Sequence, residues 1–125
     1  MTLIYHLTSR NASLAARLAG EYRTESLSVD GFIHFSQRHQ ILGVANAFYA
    51  GRTDLVLLVV EPARLRAELR YEPPAHPGGP TSAPLPAAGD LFPHLYGPLN
   101  FEAVLAEMDF PPLPGGGFAL PGNLP

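Results

Sequence analysis

The sequence predicts an α+β domain with a mostly antiparallel sheet and two main helices. Residues 2–7 and 32–36 alternate like strands, with Leu3 and Tyr5 on one face of the first stretch and Ile4 and His6 on the other. Each stretch is followed by a segment of helical periodicity. Residues 55–60 form a continuous apolar run, as expected of a central strand covered on both faces. The order strand, helix, strand, helix leaves a cleft where the two alternating strands could meet.

The first helix is expected between a cap at Asn11 and a stop at Gly20. Asn is a good N-cap residue, and Gly readily adopts the left-handed conformation that ends many helices. The apolar stripe of this helix is Leu14, Ala15 and Leu18, which we expect to pack on the sheet.

The second alternating stretch separates its side chains into two sets. Ile33 and Phe35 face one way, and Phe32, His34 and Ser36 face the other. Ser36 is also well placed to cap the second helix. The apolar positions of that helix recur at helical spacing and are Ile41, Val44, Ala45 and Phe48.

The second half of the chain contains a further strand and a segment that cannot form regular structure. Pro62 ends the central strand, and residues 67–72 predict another. Residues 73–89 hold six prolines and three glycines, so we expect an exposed loop there.

The last regular element and the domain boundary lie near residue 110. Residues 104–110 fit a strand by their alternation, although their apolar spacing would also suit a helix. We therefore assign residues 1–110 to a single domain with a Pro/Gly-rich loop at 73–89, followed by an irregular tail at 111–125.

Length and composition indicate one soluble domain. The chain has 125 residues, of which 46% are hydrophobic, and this is enough to bury a core. It has no cysteine, which excludes disulfides, thiolate metal sites and thiol nucleophiles. No apolar run approaches the roughly 18 residues of a membrane span, and no signal peptide is evident. We expect a cytoplasmic protein with no membrane association.

The charge pattern favours a small ligand over a nucleic acid. The formal net charge is −3, and all 8 basic residues are arginines, the last being Arg70. Nucleic-acid binding requires a basic face that can neutralise phosphates, so a nucleic-acid partner is unlikely. One or two arginines could still hold a small anionic ligand, because a guanidinium matches phosphate oxygens.

Three of the five histidines lie in short apolar stretches, at His6, His34 and His94. If the three stretches are neighbouring strands, three imidazoles converge on one face. The other two, His39 and His76, are expected at the surface.

The residues around the first two histidines suit a ligand. Thr8, Ser9 and Arg10 follow His6 closely and offer donors to a polyhydroxylated anionic molecule. His34 interrupts an otherwise apolar strand, and burying an unpaired polar ring costs about 1–3 kcal/mol. We therefore expect His34 to have a hydrogen-bond partner or a ligand.

The third histidine lies in a rigid segment. Pro93 and Pro98 restrict the backbone, and Phe92, His94 and Tyr96 occupy alternate positions. The segment therefore predicts either an edge strand with an incidental histidine or a strand that presents aromatic, imidazole and phenol groups to a site.

The residues alone leave three site chemistries open. Three imidazoles could form an open zinc-type site, although the chain has no HxxxH or HxH pair. Ser9 or Ser36 could be the nucleophile of a triad, although there is no Gly-x-Ser-x-Gly elbow. The third possibility is a binding cleft for a nucleotide.

Over roughly residues 1–110 the chain resembles an uncharacterised, mainly bacterial family, the domain of unknown function 952. The Pro/Gly-rich segment near 75–89 looks like an insertion relative to that family. The matching segments are Ile4-Tyr5-His6, Ser26-Leu27, Asp30-Gly31-Phe32-Ile33-His34, Val44-Ala45-Asn46, Leu55-Val56-Leu57-Leu58, Leu69-Arg70-Tyr71-Glu72 and Phe92-Pro93-His94-Leu95-Tyr96-Gly97-Pro98-Leu99.

A more distant resemblance is to the ADP-ribosyltransferase superfamily. Residues 5–10 resemble its His-Gly-Ser/Thr strand motif, and residues 31–36 resemble its Gly-x-Tyr-Phe segment. The resemblance implies an ADP-ribosyltransferase-like fold with NAD as cofactor. It implies that His6 binds the ribose hydroxyls, that the backbone of Leu7 holds the nicotinamide amide, and that His34 stacks on nicotinamide.

The resemblance also suggests roles for later residues. Arg10 would meet a phosphate, and His94 and Tyr96 would orient the ribose or an acceptor. Thr8 and Ser36 would complete the nucleotide site. The chain departs from the superfamily pattern, because Leu7 replaces a glycine and His94 stands at or beside the position of a catalytic glutamate. The tRNA 2′-phosphotransferases share the fold and also lack that glutamate.

These observations predict a protein that binds NAD or a related small-molecule nucleotide, and that could act as an ADP-ribosyltransferase-like glycosyl transferase or an NAD glycohydrolase. His6, His34 and His94 are the candidate catalytic residues. The alternatives are a non-catalytic nucleotide-binding module and a metal-dependent hydrolase that uses the three histidines.

Overall fold

The computed structural model describes residues 2–74 and 90–125. Three short 3-10 helices precede α3, follow β3 and precede β6, at Arg38–Gln40, Pro62–Arg64 and Phe101–Ala103. The remaining elements, in chain order, are β1 (Ile4–Ser9), α1 (Arg10–Ala19), α2 (Glu25–Val29), β2 (Ile33–His34), α3 (Ile41–Phe48), β3 (Leu55–Val60), β4 (Glu68–Glu72), β5 (Phe92–Tyr96) and β6 (Val104–Asp109).

The described strands form two antiparallel sheets of three strands each. Their orders are β1-β3-β6 and β2-β5-β4. The predicted α+β class with antiparallel pairing is thus confirmed, but the strands form two sheets instead of one. Phe35 still donates a backbone hydrogen bond to Pro93 of β5, and the next residue, Ser36, pairs with Tyr5 of β1 through backbone hydrogen bonds of 2.9 and 2.7 Å.

The strand β3 is the centre of the fold. All six of its side chains are buried, as its continuous apolar sequence predicts. Val56, Leu58 and Val60 point into a core shared with Ile33, Leu95 and other residues of the second sheet. Leu55, Leu57 and Val59 point to the opposite face, which α3 and the end of the chain cover.

The helix α1 turns a different face to the sheet from the one predicted. Leu14 and Leu18 are 58% and 84% exposed, whereas Ser13 and Ala16 are buried. The hydroxyl of Ser13 donates to Glu107 on β6, and Ala16 is small enough for close packing. The polar contact and the small side chain therefore decide which face is buried, against the apolar stripe.

The ends of the helices differ in detail from expectation. Ser9, and not Asn11, caps α1 by accepting a hydrogen bond from the backbone of Ala12. Gly20 ends the helix with φ of 95°, as predicted. Ahead of α3, Gln37 and not Ser36 occupies the N-cap of the 3-10 turn.

The C-terminal part of the chain forms a strand and an irregular packed segment. The ambiguity over 104–110 resolves in favour of β6. Residues 111–125 contain no helix or strand, but Phe118 stacks on Phe110 at a ring-centroid distance of 5.1 Å, and Leu124 is buried. This segment therefore covers the face of the first sheet that carries Leu55, Leu57 and Val59.

The structure contains one helix that the sequence did not predict, α2. Most of the predicted loop, at 75–89, lies outside the described residues. No helix within the described residues is long and apolar enough to cross a membrane.

The β4–β5 pair closes tightly at the end where Gly97 leaves β5. A Cβ atom at position 97 would lie 2.6 Å from the Cβ of Ala67, well inside van der Waals contact. The pair directly beside this contact is Glu68 and Tyr96.

Candidate functional site

His6 lies in a buried hydrogen-bond chain between the two sheets. Its Nδ1 is 2.6 Å from the backbone oxygen of His34, and its Nε2 is 2.8 Å from the hydroxyl of Tyr22. The same hydroxyl is 2.8 Å from Oγ1 of Thr8. Because a carbonyl oxygen only accepts, Nδ1 carries the proton.

Burial controls the ionisation of this chain. Desolvation lowers the pKa of His6 from 6.5 to about 4, and it raises the pKa of Tyr22 to about 12. The ring of His6 is therefore neutral at physiological pH, and both of its nitrogens are used inside the protein. In this geometry His6 joins the two sheets through His34, and neither of its ring nitrogens is left for a ligand.

Three other predicted site residues lie apart from one another. Leu7 packs in the core beneath α3. Arg10 forms an ion pair of 2.9 Å with Asp109 on β6. Ser36 joins the two sheets through its backbone.

The remaining predicted residues meet on the second sheet. Strand register places His34 opposite His94, and His94 opposite Arg70. The side chains of neighbouring positions, including Ile33 and Leu95, point the other way into the core. The face that carries the histidines is here called the outer face, and its site residues are Phe32, His34, Arg70, Glu72, His94 and Tyr96.

A carboxylate at the end of β4 organises the outer face. Glu72 Oε1 accepts hydrogen bonds from His94 Nδ1 at 2.8 Å and from the hydroxyl of Tyr96 at 2.5 Å. The pKa of Glu72 is held below its usual range, mainly by the hydrogen bond from Tyr96 and next by the one from His94. The hydrogen bond between Tyr96 and Glu72 also raises the pKa of Tyr96. Glu72 is therefore an anion at neutral pH.

His94 is the most enclosed residue of the outer face. It is 2% exposed, and Phe32 stacks on its ring with a centroid distance of 4.1 Å. The hydrogen bond to Glu72 uses Nδ1, so Nε2 is the second ring nitrogen and lies on the other side of the ring. That nitrogen is buried and forms no hydrogen bond with any described residue.

The rim of this site combines rings and charges. The ring of His34 meets that of His94 edge-on at 5.6 Å, and its Nε2 is 3.3 Å from Asp30. On the other side the guanidinium of Arg70 lies over the ring of Tyr96 at 4.4 Å. The site thus offers flat rings, an anion and a cation around one buried nitrogen.

The three histidines do not form the common ligand set that their pattern suggested. His34 and His94 are ring neighbours, but His6 reaches only the backbone of His34. Within residues 2–74 and 90–125, no three His, Asp or Glu side chains are placed to hold a metal ion. The described residues therefore do not support the metal-dependent alternative.

Three residues of the site, Phe32, Arg70 and Glu72, were not predicted from the sequence. Phe32 shares the alternation phase of His34, which is a signal that could have found it. The placement of Arg70 and Glu72 depends on the β4–β5 register, and the segment between those strands carries no pattern that sets it.

The fold and the site define an α+β protein of two antiparallel sheets with a histidine–carboxylate site on the outer face of one of them. A family described as a protein of unknown function, DUF952, matches residues 7–107, and the chain belongs to this family. No curated protein matches the chain.

Solved structures of protein CC0527 from Caulobacter crescentus are similar over nearly the whole chain. A crystal structure shares 33% sequence identity, covers 95% of both chains and has a TM-score of 0.79. A solution NMR structure shares 34% identity, covers 99% of this chain and 97% of that one, and has a TM-score of 0.70. Because identity exceeds 30% at this coverage, the two proteins share the family as well as the fold.

Proposed function

We propose that the outer face binds NAD or a related nucleotide and that the protein acts on its nicotinamide–ribose bond. The observation that carries the proposal is the Glu72 carboxylate held between His94 and Tyr96. The resemblance to ADP-ribosyltransferases implies a carboxylate beside the ribose, and no glutamate stands at that position in the sequence. Glu72 supplies one beside His94 from the neighbouring strand.

The ribose would bind at Glu72. A carboxylate has about four lone-pair sites, and the His94 and Tyr96 bonds both use Oε1, so capacity remains for ribose hydroxyls. A fixed negative charge at this place also stabilises the positive charge that develops on the sugar when a glycosidic bond breaks.

The other outer-face residues suit the remaining parts of a dinucleotide. The ring of His34 is partly exposed and lies 4.8 Å from the buried ring of Phe32, so a flat heterocycle would stack on His34. Arg70 pairs with Glu68, but both side chains are at least half exposed, so exchanging that pair for a phosphate costs little. Arg70 is better placed for the phosphate than Arg10, which lies with β6.

One observation favours a second function, nucleotide binding without turnover. The resemblance assigns ribose binding to His6, whose two ring nitrogens bond to His34 and Tyr22 instead. A site that lacks this contact could hold a nucleotide loosely and leave it intact. Steady release of nicotinamide by the wild-type protein would rule this second function out.

Titration calorimetry with NAD and ADP-ribose tests nucleotide binding, which both proposed functions require. The wild-type protein should bind at least one of them at millimolar concentration or below. Glu72→Gln should weaken that binding by about tenfold or more, because a charged hydrogen bond is worth about 1.5–3 kcal/mol. Glu21→Gln, which alters an exposed surface ion pair, is the matched control and should bind like the wild type. If the wild-type protein binds neither compound, the proposal is wrong.

A further inference from the structure

We propose that a cleft beside β1 binds a small molecule that combines a carboxylate with an apolar group. The cleft has a volume of about 430 Å³, and its walls include Leu3, Tyr5, Arg38 and Pro125. Pockets that hold small organic ligands are commonly of this size. None of the lining residues belongs to the outer face, so this site is separate from the nucleotide site and its test does not depend on that proposal.

The contact between the two sheets brings the walls of the cleft together. Ser36 pairs with Tyr5 through backbone hydrogen bonds, and the 3-10 helix Arg38–Gln40 follows. This places the side chain of Arg38 near that of Tyr5. The Tyr5 hydroxyl and Arg38 Nη1 donate to the same oxygen of Pro125, at 2.7 and 3.0 Å. Two donors therefore converge at one point of the cleft wall, where they already hold an acceptor oxygen.

Arg38 differs from every other arginine in its partners. Each of the other seven forms a salt bridge of 3.3 Å or less with an Asp or Glu side chain. Arg38 instead donates to the backbone oxygens of Leu124 and Pro125. All 11 acidic residues lie within residues 2–74 and 90–125, and none of them forms a salt bridge with Arg38. No carboxylate side chain of this protein therefore occupies its guanidinium.

The cleft keeps hydrogen-bond donors for a ligand. A guanidinium carries five N–H donors in a planar fork that matches a carboxylate, and both bonds from Arg38 use Nη1. The hydroxyl of Thr2, which also lines the cleft, bonds to none of the described residues. The remaining donors of Arg38 and this hydroxyl therefore suit an anion that binds beside Pro125.

Charge and shape select the class of ligand. Arg38 is the one Lys or Arg residue that lines the cleft, and His39, which also lines it, already pairs with Asp90 at 3.0 Å. A single cation matches a singly charged carboxylate better than a doubly charged phosphate. The side chains of Leu3 and Pro125 supply apolar surface, so the ligand carries a hydrocarbon or aromatic group beside its carboxylate.

NMR titration of the wild-type protein with benzoate tests the class of ligand. Benzoate combines a carboxylate with an aromatic ring. It should shift the backbone amide signals of residues 3–5 and 37–39, with a dissociation constant in the low millimolar range. Benzamide has the same shape without the charge and should bind at least about tenfold more weakly, because charge-assisted hydrogen bonds are stronger than neutral ones. Equal binding of the two compounds, or no shift at these residues, would overturn the proposal.

Two further comparisons separate the cleft from the alternatives. Inorganic phosphate at the same concentration and ionic strength should shift these signals less than benzoate does. Larger shifts with phosphate would contradict the assignment to a carboxylate. Benzoate shifts confined to the signals of His34 and Arg70 would place the probe on the outer face and would equally contradict the proposal.

Arg38→Gln tests the residue that carries the charge. It should weaken benzoate binding by about tenfold or more, because the charge-assisted hydrogen bonds are lost. Arg23→Gln is the matched control, since Arg23 is exposed and pairs with Glu21 outside the cleft, and it should bind like the wild type. Unchanged benzoate binding by Arg38→Gln would refute the role of Arg38. The wild-type titrations decide the question if this variant does not fold.

Discussion

The ring of His6 donates a hydrogen bond of 2.6 Å from Nδ1 to the backbone oxygen of His34. One histidine belongs to the first sheet and the other to the second, so this bond joins the two sheets next to the Tyr5–Ser36 bridge. It also fixes the backbone of the strand that carries His34 to the outer face. His6, which the sequence predicted to bind the ligand, therefore supports the strand that carries His34.

The stability of the protein should fall as the pH drops from about 7.5 to about 5, because of His6. Its pKa is about 4 in the folded protein and about 6.5 when exposed, so the unfolded chain takes up the proton first. The stabilisation is complete above pH 6.5 and is lost on acidification towards pH 4. Between pH 7.5 and pH 5 it amounts to about 2 kcal/mol, measurable by urea unfolding.

Two variants separate His6 from the other titrating groups. His6→Gln should lose the pH dependence between 7.5 and 5, whatever its stability at neutral pH. His39→Gln changes a histidine whose side chain is 62% exposed and should keep that dependence. Equal slopes for the wild type and His6→Gln would refute the assignment.

Tyr22→Phe should destabilise the protein by about 1–3 kcal/mol. The change removes the hydroxyl between His6 Nε2 and Thr8 Oγ1 and leaves both buried atoms without that partner. Urea unfolding at neutral pH measures the loss. Tyr71→Phe is the control, because that ring is 42% exposed, and it should change stability by less than about 0.5 kcal/mol.

Substitutions on α1 should follow the observed burial and not the apolar stripe of the sequence. Leu14→Gln and Leu18→Gln should each change the free energy of unfolding by less than about 0.5 kcal/mol, because both side chains face solvent. Ala16→Leu should cost about 1–3 kcal/mol, because residue 16 packs on the sheet. The reverse order of effects would mean that the helix is rotated relative to this structure.

Phe118→Ala should destabilise the protein by about 3–5 kcal/mol if the last segment belongs to the folded unit. Phe118 is 5% exposed and stacks on Phe110. Leu113→Ala, in the same segment but 49% exposed, is the matched control and should have a small effect. Thermal unfolding of the three proteins decides the matter, and equal melting temperatures would show that the segment adds nothing to stability.

The strands could be predicted from sequence because their signals are local. Alternation located β1 and the residues around β2, and the continuous apolar run located β3. The buried face of α1 could not be predicted in this way, because it depends on Glu107, a partner of Ser13 that lies 94 positions away. Propensity and periodicity contain no information about such a distant contact.

The same distinction holds for the site. The alternation of residues 32–36 predicted Phe32, His34 and Ser36 on one side of the strand. In the structure, Phe32 and His34 lie together on the outer face. The separation of His6 from His94 follows from the division into two sheets, which no single segment encodes. Glu72 became a site residue only through its pairing opposite Phe92.

The tight approach of Gly97 to Ala67 has a consequence for how the protein tolerates sequence change. Any side chain at position 97 would push β4 and β5 apart at the pair formed by Glu68 and Tyr96. Glu72 and His94 lie on these same two strands, so this displacement would also disturb the hydrogen bond between their carboxylate and imidazole groups. Gly97 has no functional group, but it limits how β4 and β5 can align. A substitution of Gly97 that abolished function would therefore act by displacing these strands and not by removing a reacting group.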